Sequence, residues 1–215
     1  MIQRRHRLLR RVFDCLAGWD RVDALSLLEV GCGNGQWLVE FQLFGLQPNK
    51  LAGLEKDASR AESAQRRIPT ADIRFGDAEK LPWEDASFDI VFQSTMFTSI
   101  LDAEKRKLIA EEMKRVCRPT GAILWYDFMY DNPQNPGVKG IGSKEVGALF
   151  FPWSCQFSTV TLAPPLARRI VPVSWLLAEA LETFCPFLRT HLLCMARAND
   201  TQMSESVANQ RRVEQ

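Results

Sequence analysis

Histidine and tyrosine are scarce in this chain, with two of each in 215 residues, so any chemistry that needs an imidazole must use His6 or His191. The six cysteines (Cys15, Cys32, Cys117, Cys155, Cys185 and Cys194) include no C-x-x-C pair. That argues against a zinc site and a disulfide framework, and a reducing, cytoplasmic setting is expected. No apolar run reaches the roughly 18 residues that would span a bilayer. No leader peptide is expected either, because Leu8-Leu9 is interrupted at once by Arg10-Arg11. An excess of charge is missing too. The formal net charge is +1, so nothing advertises a nucleic-acid partner over the whole surface. Internal repeats are absent. What remains is an ordinary globular composition, 46% apolar and 25% charged, in a length that suits one domain with a small appendage.

The most informative stretch is Ser26-Leu-Leu-Glu-Val-Gly-Cys-Gly-Asn-Gly35. A short apolar run, Leu27 to Val30, leads into glycines at alternate positions, Gly31, Gly33 and Gly35, and a helix-compatible segment follows from Gln36 to Phe44. An apolar strand, a glycine-rich turn and a helix make the first unit of a nucleotide-binding α/β sheet. The glycines let the main chain touch a ligand, and the helix aims its N-terminal amides at it. A dinucleotide site expects G-x-G-x-x-G, whereas here the spacing is G-x-G-x-G with Glu29 two residues before the first glycine.

Three further stations follow. Leu51-Ala-Gly-Leu-Glu55 reads as a second strand ending on a carboxylate, near the roughly 20-residue offset at which an acid reaches a ribose diol. A carboxylate suits that task because it accepts from two hydroxyls at once. Ile73-Arg-Phe-Gly-Asp77-Ala78-Glu79 lies one βα unit later, and Ser87 to Ser94 reads as a buried parallel strand. Taken singly, Glu55 could be a surface carboxylate and Asp77 a common Gly-Asp turn residue. Their order along the chain favours a ligand role.

These stations resemble the class I S-adenosylmethionine-dependent methyltransferases over about residues 26–127. The pattern Leu-Pro-x-x-Asp-x-Ser-Phe-Asp at residues 81–89 is similar to the ubiquinone/menaquinone-biosynthesis type. The resemblance implies S-adenosyl-L-methionine as cofactor and S-adenosyl-L-homocysteine as product. It places Glu29, Gly31, Gly33 and Gly35 around the amino-acid end, Glu55 on the ribose and Asp77 on the adenine amino group, with the Ala78 amide on the ring. Gln93, at the end of the fourth strand, completes the set. Lys56 departs from the family, which often has an apolar residue stacked on adenine there. Its methylene stem could cover the ring; failing that, Leu81, Phe75 or Trp83 would build the slot. An NAD-dependent oxidoreductase is disfavoured by the glycine spacing and by Asp77. A non-catalytic cofactor-binding module remains as a third class.

The fold expected is α/β, a Rossmann-like, doubly wound, seven-stranded sheet with helices on both faces. The resemblance implies that its last strand is antiparallel and inserted between the fifth and the sixth. Residues 1–20 are expected to hold an amphipathic helix over the cofactor site. Leu8, Leu9, Val12, Phe13 and Leu16 fall at helical spacing, with five arginines elsewhere; the resemblance implies that such a helix covers the cofactor, with Trp19 near the ligand. A basic helix of this kind can also bind a membrane surface. Residues 21–162 form the core, with strands at Ala71–Phe75, Ala122–Phe128 and Gln156–Leu162. Helices are expected at 58–67, from an Asp102 N-cap to Cys117 with Leu108, Ile109, Met113 and Val116 buried, and at Ser143–Phe150. The family usually joins its last two strands as a hairpin, but here residues 163–190 intervene. They carry Trp175, Leu176, Leu177, Leu181, Phe184 and Phe187, with a helix near Ser174–Phe184. They read as an apolar cap on the acceptor pocket or as the surface of a homodimer. Residues 191–198 make the last strand, and 199–215 read as a polar, disordered tail.

For the acceptor chemistry, His191 is the first candidate base, because an antiparallel strand starts at the carboxyl edge of its neighbours. Asp127 could act as base or orient His191, or equally cap a loop, and Tyr126 and Tyr130 lie at the same edge. His6 sits among the arginines. Asp131-Asn132 lacks the partner carboxylate of a metal-dependent site, so no metal is expected. The Asn/Asp-Pro-Pro-Tyr loop of nucleic-acid amino methyltransferases is replaced by Gln93-Ser-Thr-Met96, no Pro-Cys nucleophile occurs, and the paired-glutamate loop of arginine methyltransferases is missing. The remaining acceptor is a hydroxyl of a small, partly apolar metabolite, or alternatively a sugar or a lipid- or carrier-linked glycan.

Overall fold

Alternation of short apolar strands with helices builds a single layered sheet in the computed structural model, which describes residues 22–199. The strands are β1 (Leu27–Val30), β2 (Leu51–Glu55), β3 (Asp72–Phe75), β4 (Phe88–Ser94), β5 (Cys117–Phe128), β6 (Ser154–Leu162) and β7 (Arg189–Arg197). They lie in the order β3-β2-β1-β4-β5-β7-β6. All neighbours from β3 to β5 are parallel, and β7 runs antiparallel to both β5 and β6. β1 and β2 are buried at every position, as central parallel strands covered on both faces must be. This is the expected seven-stranded architecture.

The helices are α1 (Gln36–Leu43), α2 (Ala58–Arg67), α3 (Ala103–Val116), α4 (Ser143–Leu149), α5 (Pro164–Ile170) and α6 (Trp175–Phe184). Asp57 caps α2 by accepting from the Arg60 amide at 3.0 Å, and Asp102 caps α3 by accepting from the amides of Glu104 and Lys105. α3 buries Arg106, Ile109, Ala110, Met113 and Val116. Leu108, expected on that buried side, instead faces solvent, because the helical stripe passes through Arg106 and Ile109 and leaves it about a third of a turn away. Strand β5 starts earlier than expected. Pro119–Gly121 does not break it but is absorbed in an irregularity opposite Phe88 and Ile90, where Gly121 passes so close to the Asp89 carbonyl that a Cβ would sit 2.5 Å away. α5 is an element the sequence reading left out. Pro164 and Pro165 open it, occupying first-turn positions where a missing N–H costs nothing.

Side chains on the two sheet faces form two cores. Ile123, Trp125, Cys194 and Ala196 belong to one, and Leu124, Tyr126, Leu193 and Met195 to the other. A third, small cluster of Leu162, Ala167 and Ala178 lies under residues 163–190. Among the described residues no helix is long and apolar enough to cross a membrane. The helix expected over residues 2–19, with Trp19, and residues 200–215 of the expected tail lie outside the described residues.

Candidate active site

A crevice of about 780 Å³ opens at the carboxyl ends of β1, β2, β3 and β4. Its volume lies within the roughly 300–1,000 Å³ of small-ligand sites. The glycine turn forms its floor. The amides of Gly31 and Cys32 both donate to the Leu54 carbonyl, at 2.8 and 2.9 Å, stitching the turn to the end of β2. Gly31 and Gly35 have positive φ, +74° and +72°, and each also stands where a side chain has no room. A Cβ on Gly31 would meet Met96 Sδ at 2.8 Å, and one on Gly35 would meet the Ala64 methyl of α2 at 3.1 Å. Gly35 therefore serves the packing of α1 on α2 and does not itself line the crevice, whereas Gly31 and Gly33 do.

Glu55 is buried at the crevice wall, and its two oxygens accept from the amides of Gly33 (2.8 Å) and Asp57 (3.0 Å). Each carboxylate oxygen has a further lone pair, so a ribose diol can still be held there. Glu29 is also buried at the wall. The Cys32 thiol next to them is pushed far above its ordinary value, by burial first and then by the charges of Glu29 and Glu55. That floor is electronegative, which suits a cationic sulfonium. Asp77 is exposed at the opposite wall; its Oδ1 accepts from the Glu79 amide at 3.0 Å in a tight turn that also places Ala78 on the wall. Lys56 lines the crevice, while Leu81, Phe75 and Trp83 do not. Trp83 instead donates its indole N–H to Asp72 at 2.8 Å, with the Arg74 guanidinium over its ring. Of the residues expected around an adenine ring, Lys56, Asp77 and Ala78 line the crevice.

Gln93 stands one layer behind the wall. It is fully buried, and its Oε1 accepts from the Met96 amide at 3.2 Å, which holds the turn that carries Ser94, Thr95 and Met96 into the crevice. Within that turn Thr95 has φ +54°, a conformation costly for a β-branched residue, held by its amide donating to the Tyr126 carbonyl at 2.8 Å. Across the mouth, Lys105 of α3 pairs with Glu79 at 2.6 Å. Sequence reasoning missed Thr95, Met96, Lys105 and Trp37, all of which line the crevice. Only Trp37, in the first turn of the helix after the glycines, carried a positional signal.

None of the four side chains expected to do the acid-base chemistry lines the crevice. Tyr126 lies behind Trp37, with ring centroids 6.1 Å apart, and its hydroxyl shares a hydrogen bond with Thr161 at 3.0 Å. His191 is one layer deeper still, buried, stacked on Tyr126 at 4.8 Å and packed against Phe128 at 3.9 Å. Asp127 is completely buried and accepts from the Thr98 amide and hydroxyl and from the Phe128 amide. Burial holds its carboxyl above the ordinary range, against those hydrogen bonds. Of the roles open to Asp127, strand geometry excludes orienting His191, and capping the turn at Thr98 is the one seen. His191 is opposite Phe128 in the β5–β7 register, so alternation sends its ring to the Tyr126 face and Asp127 to the other. Tyr130 is exposed beyond the end of β5. Residues 163–190 also leave the crevice unlined; they pack on β6 and on one another.

Residues 28–125 match a family model described as a methyltransferase domain. The chain is 35% identical over 108 residues to phthiotriol/phenolphthiotriol dimycocerosates methyltransferase 1 of Mycobacterium ulcerans, a match covering 49% of this chain and 38% of that protein. It is 30% identical over 126 residues to 27-O-demethylrifamycin SV methyltransferase of Amycolatopsis mediterranei, covering 55% of this chain and 44% of that one. The matches thus span less than half of these relatives' own length. In fold, the chain is similar to a SAM-dependent methyltransferase from Archaeoglobus fulgidus (TM-score 0.61, 14% identity, 90% of this chain and 94% of that one). Residues 28–125 are thus similar to a methyltransferase domain, and the sheet built around them has the fold of solved S-adenosylmethionine-dependent methyltransferases.

Proposed function

We propose that this chain transfers the methyl group of S-adenosylmethionine to a hydroxyl oxygen of a small, partly apolar metabolite. The observation that carries the reading is one crevice lined together by two carboxylates, Glu55 and Asp77, and by the glycine turn at Gly31 and Gly33. Their chemistry fits the cofactor: Glu55 accepts from the ribose hydroxyls, Asp77 from the adenine amino group, and the Lys56 stem covers the ring. The turn from Glu29 to Gly33 receives the amino-acid end, above an electronegative floor. When bound, the cofactor supplies a methyl already activated by positive sulfur. The protein's task is then to align the acceptor and exclude water, effects that can lower a barrier by roughly 7–11 kcal/mol.

The acceptor end is bounded by Trp37, Met96, Ile100 and Leu101, an apolar wall that favours a partly apolar substrate. The hydroxyl target is supported by the relative whose name specifies a 27-O-demethyl substrate. Tyr126 and His191 back this wall through Trp37 and act on its shape from behind. The test is incubation of the full chain with methyl-labelled S-adenosylmethionine and matched hydroxyl, amine and sugar acceptors. Label on the oxygen of an apolar hydroxyl compound is expected. Label confined to sugars, or to nitrogen or carbon, overturns the acceptor assignment.

A further inference from the structure

Residues 163–188 leave the sheet at the end of β6 and return at the start of β7, forming α5 and α6 at the carboxyl edge. Inward, they bury little: Ala167 and Ala178 pack with Leu162, flanked by Leu166, Ile170, Leu181 and Leu188. Outward, α6 presents Leu176, Ala180 and Phe184 four residues apart, one continuous stripe along the helix. Trp175, Leu176, Leu177, Phe184 and Phe187, with Val171 and Val173 ahead of the helix, are 43–84% exposed. A helix that is apolar on both sides yet packed on only one leaves a face in need of a partner.

The exposed charges of this segment have one sign. Arg168 and Arg169, in the last turn of α5, are exposed. The only acids of the segment, Glu179 and Glu182, are half-buried, and Glu182 accepts from the Leu162 amide at 3.4 Å. Arg189 is spent on the carbonyls of Glu182, Thr183 and Thr159. A second copy meeting this face about a two-fold axis would bring two arginine pairs together with no exposed carboxylate on the face to receive them.

We propose that this face docks on the surface of an anionic lipid bilayer, with the Leu176–Phe184 stripe, Val173 and Phe187 in the headgroup–acyl boundary and Arg168 and Arg169 on lipid phosphates. An apolar helical face flanked by cations and free of exposed acids is the pattern that interfacial helices present. Neither methyl transfer nor cofactor binding is needed for it, and both can be assayed apart.

The test is co-sedimentation of the full chain, without cofactor, with vesicles of phosphatidylcholine alone and of phosphatidylcholine containing about 30% phosphatidylglycerol. Preference for the anionic vesicles is expected. Leu176→Ser/Phe184→Ser/Phe187→Ser should lower that binding at least about 100-fold. Arg168→Gln/Arg169→Gln, which leaves the apolar face intact, should lower it about 30-fold on the anionic vesicles and leave binding to phosphatidylcholine unchanged. The proposal is overturned by any of four results. These are no vesicle binding by the unmodified chain, equal binding by the variants, loss of binding only on Leu8→Ser/Phe13→Ser, or a dimer in sedimentation equilibrium that the triple substitution dissolves.

Discussion

Asp77 accepts one amide within its own turn and turns its remaining acceptor capacity to the crevice. Asp77→Ala should therefore weaken S-adenosylhomocysteine binding by roughly 1.5–3 kcal/mol, about 10- to 150-fold, as read by titration calorimetry. Unchanged affinity would place the adenine elsewhere. Asp89 shows the same residue type used for structure. Burial pushes its carboxyl up, but the Ser26 amide and hydroxyl and the Arg118 guanidinium outweigh that and hold it below the ordinary value of 3.8. A lowered carboxyl stabilises the fold above that ordinary value and loses its contribution as pH falls through the folded one. Asp89→Asn should thus lower the unfolding free energy at pH 7 by about 1–3 kcal/mol, and the gap to the unmodified chain should narrow near pH 3, in urea titrations at both pH values. Glu55 and Asp77 were legible in the sequence because each ends a local strand-to-turn unit. Asp127 caps the turn at Thr98, one of the two roles open to it, and does not meet His191, because adjacency at one sheet edge says nothing about which face each side chain takes. Only the β5–β7 register decides that.

At the scale of elements, the Asp102 cap and the periodicity worked well. Asp102 starts α3, the Asp57 cap of α2 came only with the structure, and the apolar runs became β1, β2, β4 and the end of β5. The failures have physical causes. The two prolines after Ala163 were given no element and are in fact a helix start, and Pro119-Thr-Gly121 reads as a break before the fifth strand but fits as a strand irregularity. Residues 163–190 stood out as a departure from the hairpin that the resembling family has there, yet none of them lines the crevice that a cap would cover. Their buried cluster is small beside the two sheet cores. Amides of α5 and α6 should therefore exchange through local opening, at least about 100-fold faster than those of β4 and β5, in native-state hydrogen exchange read by mass spectrometry. Equal protection would mean that the insertion unfolds only with the whole domain.

For the whole molecule, the two cores share one sheet, and the crevice is built from the ends of four of its strands together with α3. A ligand bound there couples to the global unfolding equilibrium. S-adenosylhomocysteine at about 100 times its dissociation constant should raise stability by about 2.7 kcal/mol, a rise of roughly 5–10 °C in the melting temperature by scanning calorimetry. NAD at the same concentration should leave it unchanged. A matching rise with NAD would return the oxidoreductase reading.

By itself, the sequence determined the strand-glycine-helix unit, the acids at the ends of β2 and β3, the helix caps and the class of fold. Each of these is set by residues close in the chain, through backbone freedom, capping or period. The tertiary structure alone decided that Gly35 makes room for α2 and that Met96 fills the space over Gly31. It also decided that Gln93 holds the crevice turn from behind, that His191 belongs to the sheet core, and that α6 turns its apolar stripe outward. Those outcomes depend on register and on which face meets which neighbour, contacts between residues far apart in the chain that no local pattern encodes.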